Sequence, residues 1–361
     1  MKILHIEMGR HVYGGAKQVL HLIEGLKSRG IENMLVCEHD AEISNFAEPY
    51  AKIVALKTGG DIDLLTIFKL IGIIRRHRPN IVHIHSRRGV DWFGGIAAKL
   101  TGTPVVLSRR VDNPESRIAT LLKYALFNKT VAISQGIANV LLKQGLSTNK
   151  LRVIHSAIDT SIYDRAYHKD QLLELFNLPQ NAIVLGVIAQ LIPRKGHQFL
   201  LNVLPNIIRK APNTKVVFFG QGSHQTTLQA SAKQLGIAKH VVFAGFRNDL
   251  SELIGCLDIV VHPALMEGLG VSLLQAGAAG VPLIGSDAGG IPEIVRDGLT
   301  GLLVAPGDQR GLENAVMTLV EDESLREKYG SAARTYVREH FSVDTMIDGN
   351  LQLYRELLAQ R

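Results

Sequence analysis

Residues 267–275 read Glu-Gly-Leu-Gly-Val-Ser-Leu-Leu-Gln. An acid, two glycines and an apolar run carrying one amide describe a loop that opens a helix. Gly268 and Gly270 let the backbone approach a ligand closely, and the first free N–H groups near Leu269 and Val271 can bind an anion. Glu267, at the mouth of the loop, can accept hydrogen bonds from hydroxyls. Gln275 follows Val271 by four residues, which places both on one helix face. A phosphate site beside a polyhydroxy group suggests a sugar nucleotide. The same stretch also fits a Gly-capped helix packed into an α/β core through Leu273, Leu274 and Ala276.

Three further glycine-bearing turns each follow or flank an apolar run. Tyr13-Gly14-Gly15-Ala16-Lys17 is neither a Gly-x-Gly-x-x-Gly fingerprint nor a P-loop, since no Gly-Lys-Ser/Thr occurs. Gln190-Leu-Ile-Pro-Arg194-Lys195-Gly196 sets two adjacent cations at the end of a strand, where they can neutralise a diphosphate or form a solvated basic turn. Phe219-Gly220-Gln-Gly222 again places small residues at a strand end. A second set of polar residues lies earlier. His83-Ile-His85-Ser-Arg87-Arg88 ends one strand, with both histidines on one side, and Ser108-Arg109-Arg110 ends the next. Those arginines are what a phosphorylated or carboxylated acceptor would require. His83 and His85 are equally consistent with core positions, and no third metal ligand accompanies them in sequence.

The elements that must position these residues alternate. Strands are expected at Ile3–Ile6, Met34–Cys37, Ile53–Leu56, Ile81–Ile84, Val105–Leu107, Thr130–Ile133 and Arg152–Ile154, with helices at 16–28, 64–76, 93–100 and 136–142. A polar segment, Asp159–Asp170, marks an expected boundary, giving domains over 1–165 and 166–344. The pattern restarts at Ile183–Ala189 and continues through Lys215–Phe219, Val241–Ala244, Ile259–His262, Pro282–Ile284 and Leu302–Val304. A last helix near 345–361 is expected to return to the first domain. Alternation of this kind gives an α/β fold of two doubly wound parallel sheets, with a ligand cleft at the carboxyl ends of their strands.

The bulk composition excludes several classes. Hydrophobic residues at 46% and charged ones at 20% of 361 positions are those of a folded globular protein. The longest uncharged stretch, 268–286, is broken by glycines and Pro282 and reads as loop, helix and strand rather than a membrane span. Cys37 and Cys256 match no metal or redox spacing, which fits a reducing, cytoplasmic compartment. The early charge in Met-Lys-Ile-Leu-His interrupts a signal-peptide apolar core, so no signal peptide is expected there. Residues 1–168 hold 23 Lys/Arg against 14 Asp/Glu, so this part is expected to meet something acidic, such as an anionic membrane or a phosphorylated acceptor. Nucleic acid is not expected, because the basic clusters lack interleaved aromatics.

Taken in order, the Gly14-Gly15 turn, Pro193-Arg194-Lys195-Gly196, Gly220-x-Gly222, Phe243-x-Gly245, Pro263-x3-Glu267-Gly-x-Gly270 and Gly289-Gly290-x-Pro292-Glu293 resemble the retaining glycosyltransferases of family 4. The resemblance spans nearly the whole chain and is densest over 183–305. It implies the GT-B architecture, two Rossmann-like domains facing across a cleft, with no metal or other cofactor and with a nucleotide-diphosphate sugar as donor. It implies that Lys195, aided by Arg194, Gly196 and the Gly14-Gly15 backbone, meets the diphosphate, and that Glu267 opens the family's Glu-x7-Glu motif beside the transferred sugar. It places Gly245–Arg247, including Phe246, beside the nucleobase. Two positions depart from the pattern: Gln190 stands where a basic residue is common, and Gln275 replaces the second glutamate, a neutral partner for ribose hydroxyls. Many members have a histidine near Arg110, so a more anionic acceptor is expected, a lipopolysaccharide core or other envelope glycan or a lipid-linked acceptor, met at the inner face of the cytoplasmic membrane. Two rival readings stay open. One is a sugar-nucleotide-binding protein with weakened turnover, and the other is an epimerase on the same fold using Glu293 and His262.

Overall fold

The computed structural model describes residues 1–59, 63–85 and 89–360. The chain divides into two compact units, Met1–Ala157 with Val343–Arg361, and Ile158–Ser342.

The first unit is built on seven parallel strands, β1 Lys2–Ile6, β2 Glu32–Glu38, β3 Lys52–Leu56, β4 Ile81–Ile84, β5 Val105–Arg109, β6 Lys129–Ala132 and β7 Leu151–Val153. Their order is β3-β2-β1-β4-β5-β6-β7. Near-continuous apolar runs such as Ile3-Leu4 and Val105-Val106-Leu107 are buried because helices cover both faces of the sheet. Those helices are α1 Gly14–Ser28, α2 Ile43–Ala47, α3 Leu65–His77, α4 Val90–Leu100, α5 Arg117–Tyr124 and α6 Gln135–Lys143. The strand order reverses between β1 and β4, so the loops leaving those strands splay apart and open a crevice at their carboxyl ends. His5 on β1 lies in register with His83 on β4.

The second unit carries six parallel strands, β8 Ile183–Ile188, β9 Thr214–Phe219, β10 Val241–Gly245, β11 Ile259–His262, β12 Leu283–Ser286 and β13 Gly301–Val304, in the order β10-β9-β8-β11-β12-β13. Its helices are α7 Lys169–Leu175, α8 His197–Lys210, α9 Gln225–Gln234, α10 Leu250–Leu253, α11 Val271–Ala278, α12 Gln309–Glu321 and α13 Glu323–His340. Here the reversal falls between β8 and β11. The loops after these two strands carry Lys195 and Glu267.

A last helix, α14 Val343–Ala359, belongs to the first unit and packs on α1. The two helices come so close at Gly25 that a Cβ there would fall 1.8 Å from Ile347 Cδ1. The division between units falls at Ile158, earlier than the expected boundary after residue 165. The polar segment expected to mark the boundary is folded: Asp159 caps a single 3-10 turn, Thr160–Tyr163, whose Tyr163 ring is buried. Polar composition there reflects capping rather than an unstructured connection. Helix α5 was not anticipated, because its apolar residues Ile118, Leu121 and Leu122 face outward and its inner face includes Lys123. No described helix is long and apolar enough to cross a membrane.

Candidate functional site

In the second unit, β8 ends in a turn that brings Lys195 back over the sheet. Gly196 holds φ at +74°, and a Cβ there would lie 1.8 Å from the Pro263 carbonyl oxygen, so only glycine lets the two loops approach this closely. As a result Lys195 Nζ reaches Glu267 Oε2 at 2.5 Å, and His262 Nε2, at the end of β11, donates to the same oxygen at 2.8 Å. The other carboxylate oxygen accepts from the Gly268 amide at 3.1 Å. Burial alone would raise the Glu267 pKa, but the His262 and Lys195 bonds outweigh it and hold the carboxyl down at about 2. Glu267 is therefore ionised at neutral pH and aimed by three donors.

Beside this triad, α11 starts at Gly270 with no side-chain cap, which leaves its first amides for a ligand. Leu269 is buried, whereas Val271 and Gln275 are half-buried on one face of the helix, as their spacing requires. Gln275 hydrogen-bonds Tyr163, a partner from the polar segment expected to mark the boundary. Burial raises that phenol to about 12. Gly220 and Gly222 pack against the backbone of Ala189 and Leu191, closing the β8 and β9 turns together. Gln190 and Arg194 are exposed at this rim, as is the ring of Phe246. Arg247 is tied to Asp249 through Nε at 2.8 Å and through Nη2. His197 was missed in sequence. It is buried beneath the turn with both ring nitrogens unpartnered, and burial, then the nearby His262 and Lys195, push its pKa to about 3.

The first unit holds a cavity of about 640 Å³ whose walls include Glu7, Tyr13, Gly15, His85, Ser108 and Arg110. Helix α1 begins in its wall, again with no side-chain cap. Arg110 donates to Ser156 Oγ at 3.3 Å, and burial lowers its pKa to about 10, still a cation at neutral pH, with Glu7 favouring the charge. Arg109, expected to bind an acceptor, does not serve that purpose. Its guanidinium is buried and spent on Val111 O, Glu115 and Asn113 O at 3.0, 2.9 and 2.6 Å, which shapes the loop after β5. Arg87 and Arg88 lie outside the described residues.

His83 and His85 do point the same way, but His5 joins them, and ligand nitrogens of the three lie within 4.8 Å of one another. The expectation of no third candidate ligand is thus corrected; β1 supplies it, through register with β4. The rings are organised by hydrogen bonds. Asn33 Nδ2 donates to the Ile23 and Ile31 carbonyls, so its Oδ1 must accept from His5 Nε2, at 3.3 Å. Burial lowers the His5 pKa to about 4 and takes those of His83 and His85 well below the usual range, so all three are neutral. His5 Nδ1 then accepts from His85 Nε2 at 3.1 Å, which leaves His85 Nδ1 as a lone pair without a partner. His83 is a core residue rather than an acceptor ligand: Nδ1 meets the Tyr354 hydroxyl at 2.5 Å and Nε2 meets Ser108 Oγ at 2.8 Å.

Residues 12–162 match the sequence model of Glycosyltransferase Family 4, and residues 169–336 that of Glycosyl transferases group 1. The chain belongs to the group 1, family 4 glycosyltransferases. It is similar to the sulfoquinovosyl transferase SQD2 of Arabidopsis thaliana, 27% identical over an alignment of 357 positions that covers 90% of this chain and 67% of the relative. It is also similar to the lipopolysaccharide core biosynthesis glycosyltransferase LpsE of Rhizobium meliloti, 26% identical over 362 residues and 98% of both chains. HepE of Anabaena, solved in complex with UDP, shares the GT-B fold at a TM-score of 0.88 and 20% identity, covering 99% of this chain and all of that one. In this glycosyltransferase the lysine and the glutamate of the two glycine-bearing turns are joined directly.

Proposed function

We propose that the chain is a retaining glycosyltransferase that moves a sugar from a nucleotide diphosphate to an anionic acceptor, a lipopolysaccharide core or other envelope glycan, from the cytoplasmic side of the membrane. The observation that carries the reading is the meeting of Lys195, His262 and Glu267 at the reversal point of the second sheet, beside the uncapped start of α11. As the donor's glycosidic bond breaks, the diphosphate gains negative charge, and in this reading Lys195, Arg194 and the α11 amides neutralise it. A lysine has three N–H donors, so one stays on Glu267 while the others reach phosphate oxygens. The ionised Glu267 accepts sugar hydroxyls and orients the ring rather than attacking it. With no nucleophile in this role, the acceptor hydroxyl attacks on the face the diphosphate leaves, and its proton passes to the departing phosphate oxygen. Charge neutralisation by side chain and backbone leaves no step that needs a metal.

The acceptor part rests on the first unit. Neither Gly14 nor Gly15 has a left-handed φ, and a Cβ on Gly14 would meet nothing within 4 Å, so local geometry does not call for glycine there. A ligand lying against the amides of α1 would. Arg110 in the same cavity supplies the cation for an anionic acceptor group. The likeness to LpsE supports an envelope glycan. Thermal-shift titration with UDP-, GDP- and ADP-sugars tests the donor: one class should raise the melting point in proportion to its affinity. A flat response to all three would argue against it. Gln275, held by Tyr163, favours one second reading, a sugar-nucleotide binder with weakened turnover, and a donor-hydrolysis assay separates the two.

A further inference from the structure

Helix α3 turns an unusual face outward. Leu65, Phe68, Lys69, Gly72, Arg75 and Arg76 follow one another at helical spacing and are all exposed, while Thr66, Leu70 and Ile74 hold the opposite face in the core. Phe68 is 70% exposed, and Leu64, just before the helix, is as bare as Leu65. No residue of α3 is acidic. The face is therefore apolar over its first turns and cationic over its last. His77 at that end registers the charge: burial, then Lys52, Arg76 and Lys2, lower its pKa. Helix α5 presents a second stripe, Ile118, Leu121 and Leu122, again exposed at i, i+3 and i+4, beside Arg117. Both helices follow strands whose successors lie in the same direction across the sheet, so right-handed crossovers set them on one face, with α4 packed on α3. Monomeric proteins seldom leave large apolar side chains clustered in water.

We propose that the outer faces of α3 and α5 seat this unit on an anionic lipid bilayer, Leu65, Phe68, Ile118 and Leu122 entering the headgroup boundary while Arg75 and Arg76 meet lipid phosphates. Apolar side chains at one end and bare cations at the other, with no acid between, complement a negatively charged surface and not a neutral one. The inference deepens the envelope-glycan reading above by naming the surface that would hold the enzyme near a lipid-borne acceptor. It stands on exposure and charge alone.

Co-sedimentation of the full chain with phosphatidylcholine vesicles, and with vesicles that also contain phosphatidylglycerol, tests it. The native protein should pellet with the second kind and be released by salt. Removing one buried apolar side chain should weaken partitioning about tenfold and one cation about fivefold, so L65S/F68S should abolish pelleting and R75Q/R76Q should reduce it sharply. These positions face water, so both variants should melt as the native chain does and keep its thermal response to nucleotide sugars. No pelleting with either vesicle, or L65S/F68S pelleting like the native chain, would overturn the proposal. So would a concentration-dependent dimer by light scattering that L65S/F68S abolishes, since the face would then bind a second copy. Loss of the nucleotide response with vesicle binding intact would instead count against the donor assignment.

Discussion

Lys195 and Glu267 show how two side chains from different loops define one chemistry. Their pairing at 2.5 Å keeps a buried cation and a buried anion from paying separate desolvation costs, and it holds the lysine that the proposed function assigns to the diphosphate. Lys195→Ala should lower turnover by a factor of about a hundred to a thousand, as loss of a single transition-state donor does, measured as steady-state sugar transfer with the melting point as a folding control. Unchanged turnover would remove the lysine from the mechanism. Tyr354 invites a second substitution. Its buried hydroxyl is the partner of His83 Nδ1, so Tyr354→Phe should cost about 1–3 kcal/mol of stability in denaturant unfolding, the penalty of an unpaired buried acceptor. Residue identities at the second unit's site were legible because glycines and charges recur at strand ends. The histidine cluster was not, because His5 sits 78 positions before His83 and only strand register brings them together. Arg109 misled for a related reason: sequence shows a cation at a strand end and hides the carbonyls that consume it.

At the scale of elements, parallel strands and their order do the positioning. Each sheet reverses direction once, and the candidate residues leave the strands on either side of that reversal: Lys195 after β8 and Glu267 after β11, His85 after β4 and the Gly14-Gly15 turn after β1. The turn after β8 depends on Gly196. Gly196→Ala should destabilise the second unit by more than the roughly 1 kcal/mol of an ordinary glycine replacement, since it meets both a left-handed φ and the Pro263 carbonyl. A melting point equal to that of the native chain would show that the loop can yield. Apolar periodicity revealed the strands to within a residue or two, because both sheet faces are covered and the runs are continuous. The short turn at Thr160–Tyr163 and helix α5 escaped, since one has too few residues for a period and the other wears its apolar side outward.

At the scale of the molecule, the buried His5, His83, His85 and His197 make the fold sensitive to acid. His5 titrates near 4 and His197 near 3 in the folded chain, against 6.5 when exposed, and His83 and His85 are lowered as well. Unfolding lets them take up protons, so their contribution is complete above about pH 6.5 and falls away as the pH drops toward 4; His5 alone would account for about 3 kcal/mol by then. Glu267, held at about 2, adds to the loss in the same direction at lower pH. The unfolding free energy should therefore decline between pH 6.5 and 4, and a flat profile there would mean that the rings take up protons in place. Two doubly wound units and a returning terminal helix were visible in the sequence, through the restart of alternation at Ile183 and the amphipathic last segment. The proposed transfer requires that Lys195 and the first amides of α11 bind a pyrophosphate. Calorimetric titration of the favoured nucleoside diphosphate into native protein and Lys195→Ala tests it most directly. Binding should be saturable in the native chain and at least tenfold weaker in the variant; equal affinity in both would remove Lys195 from the donor site.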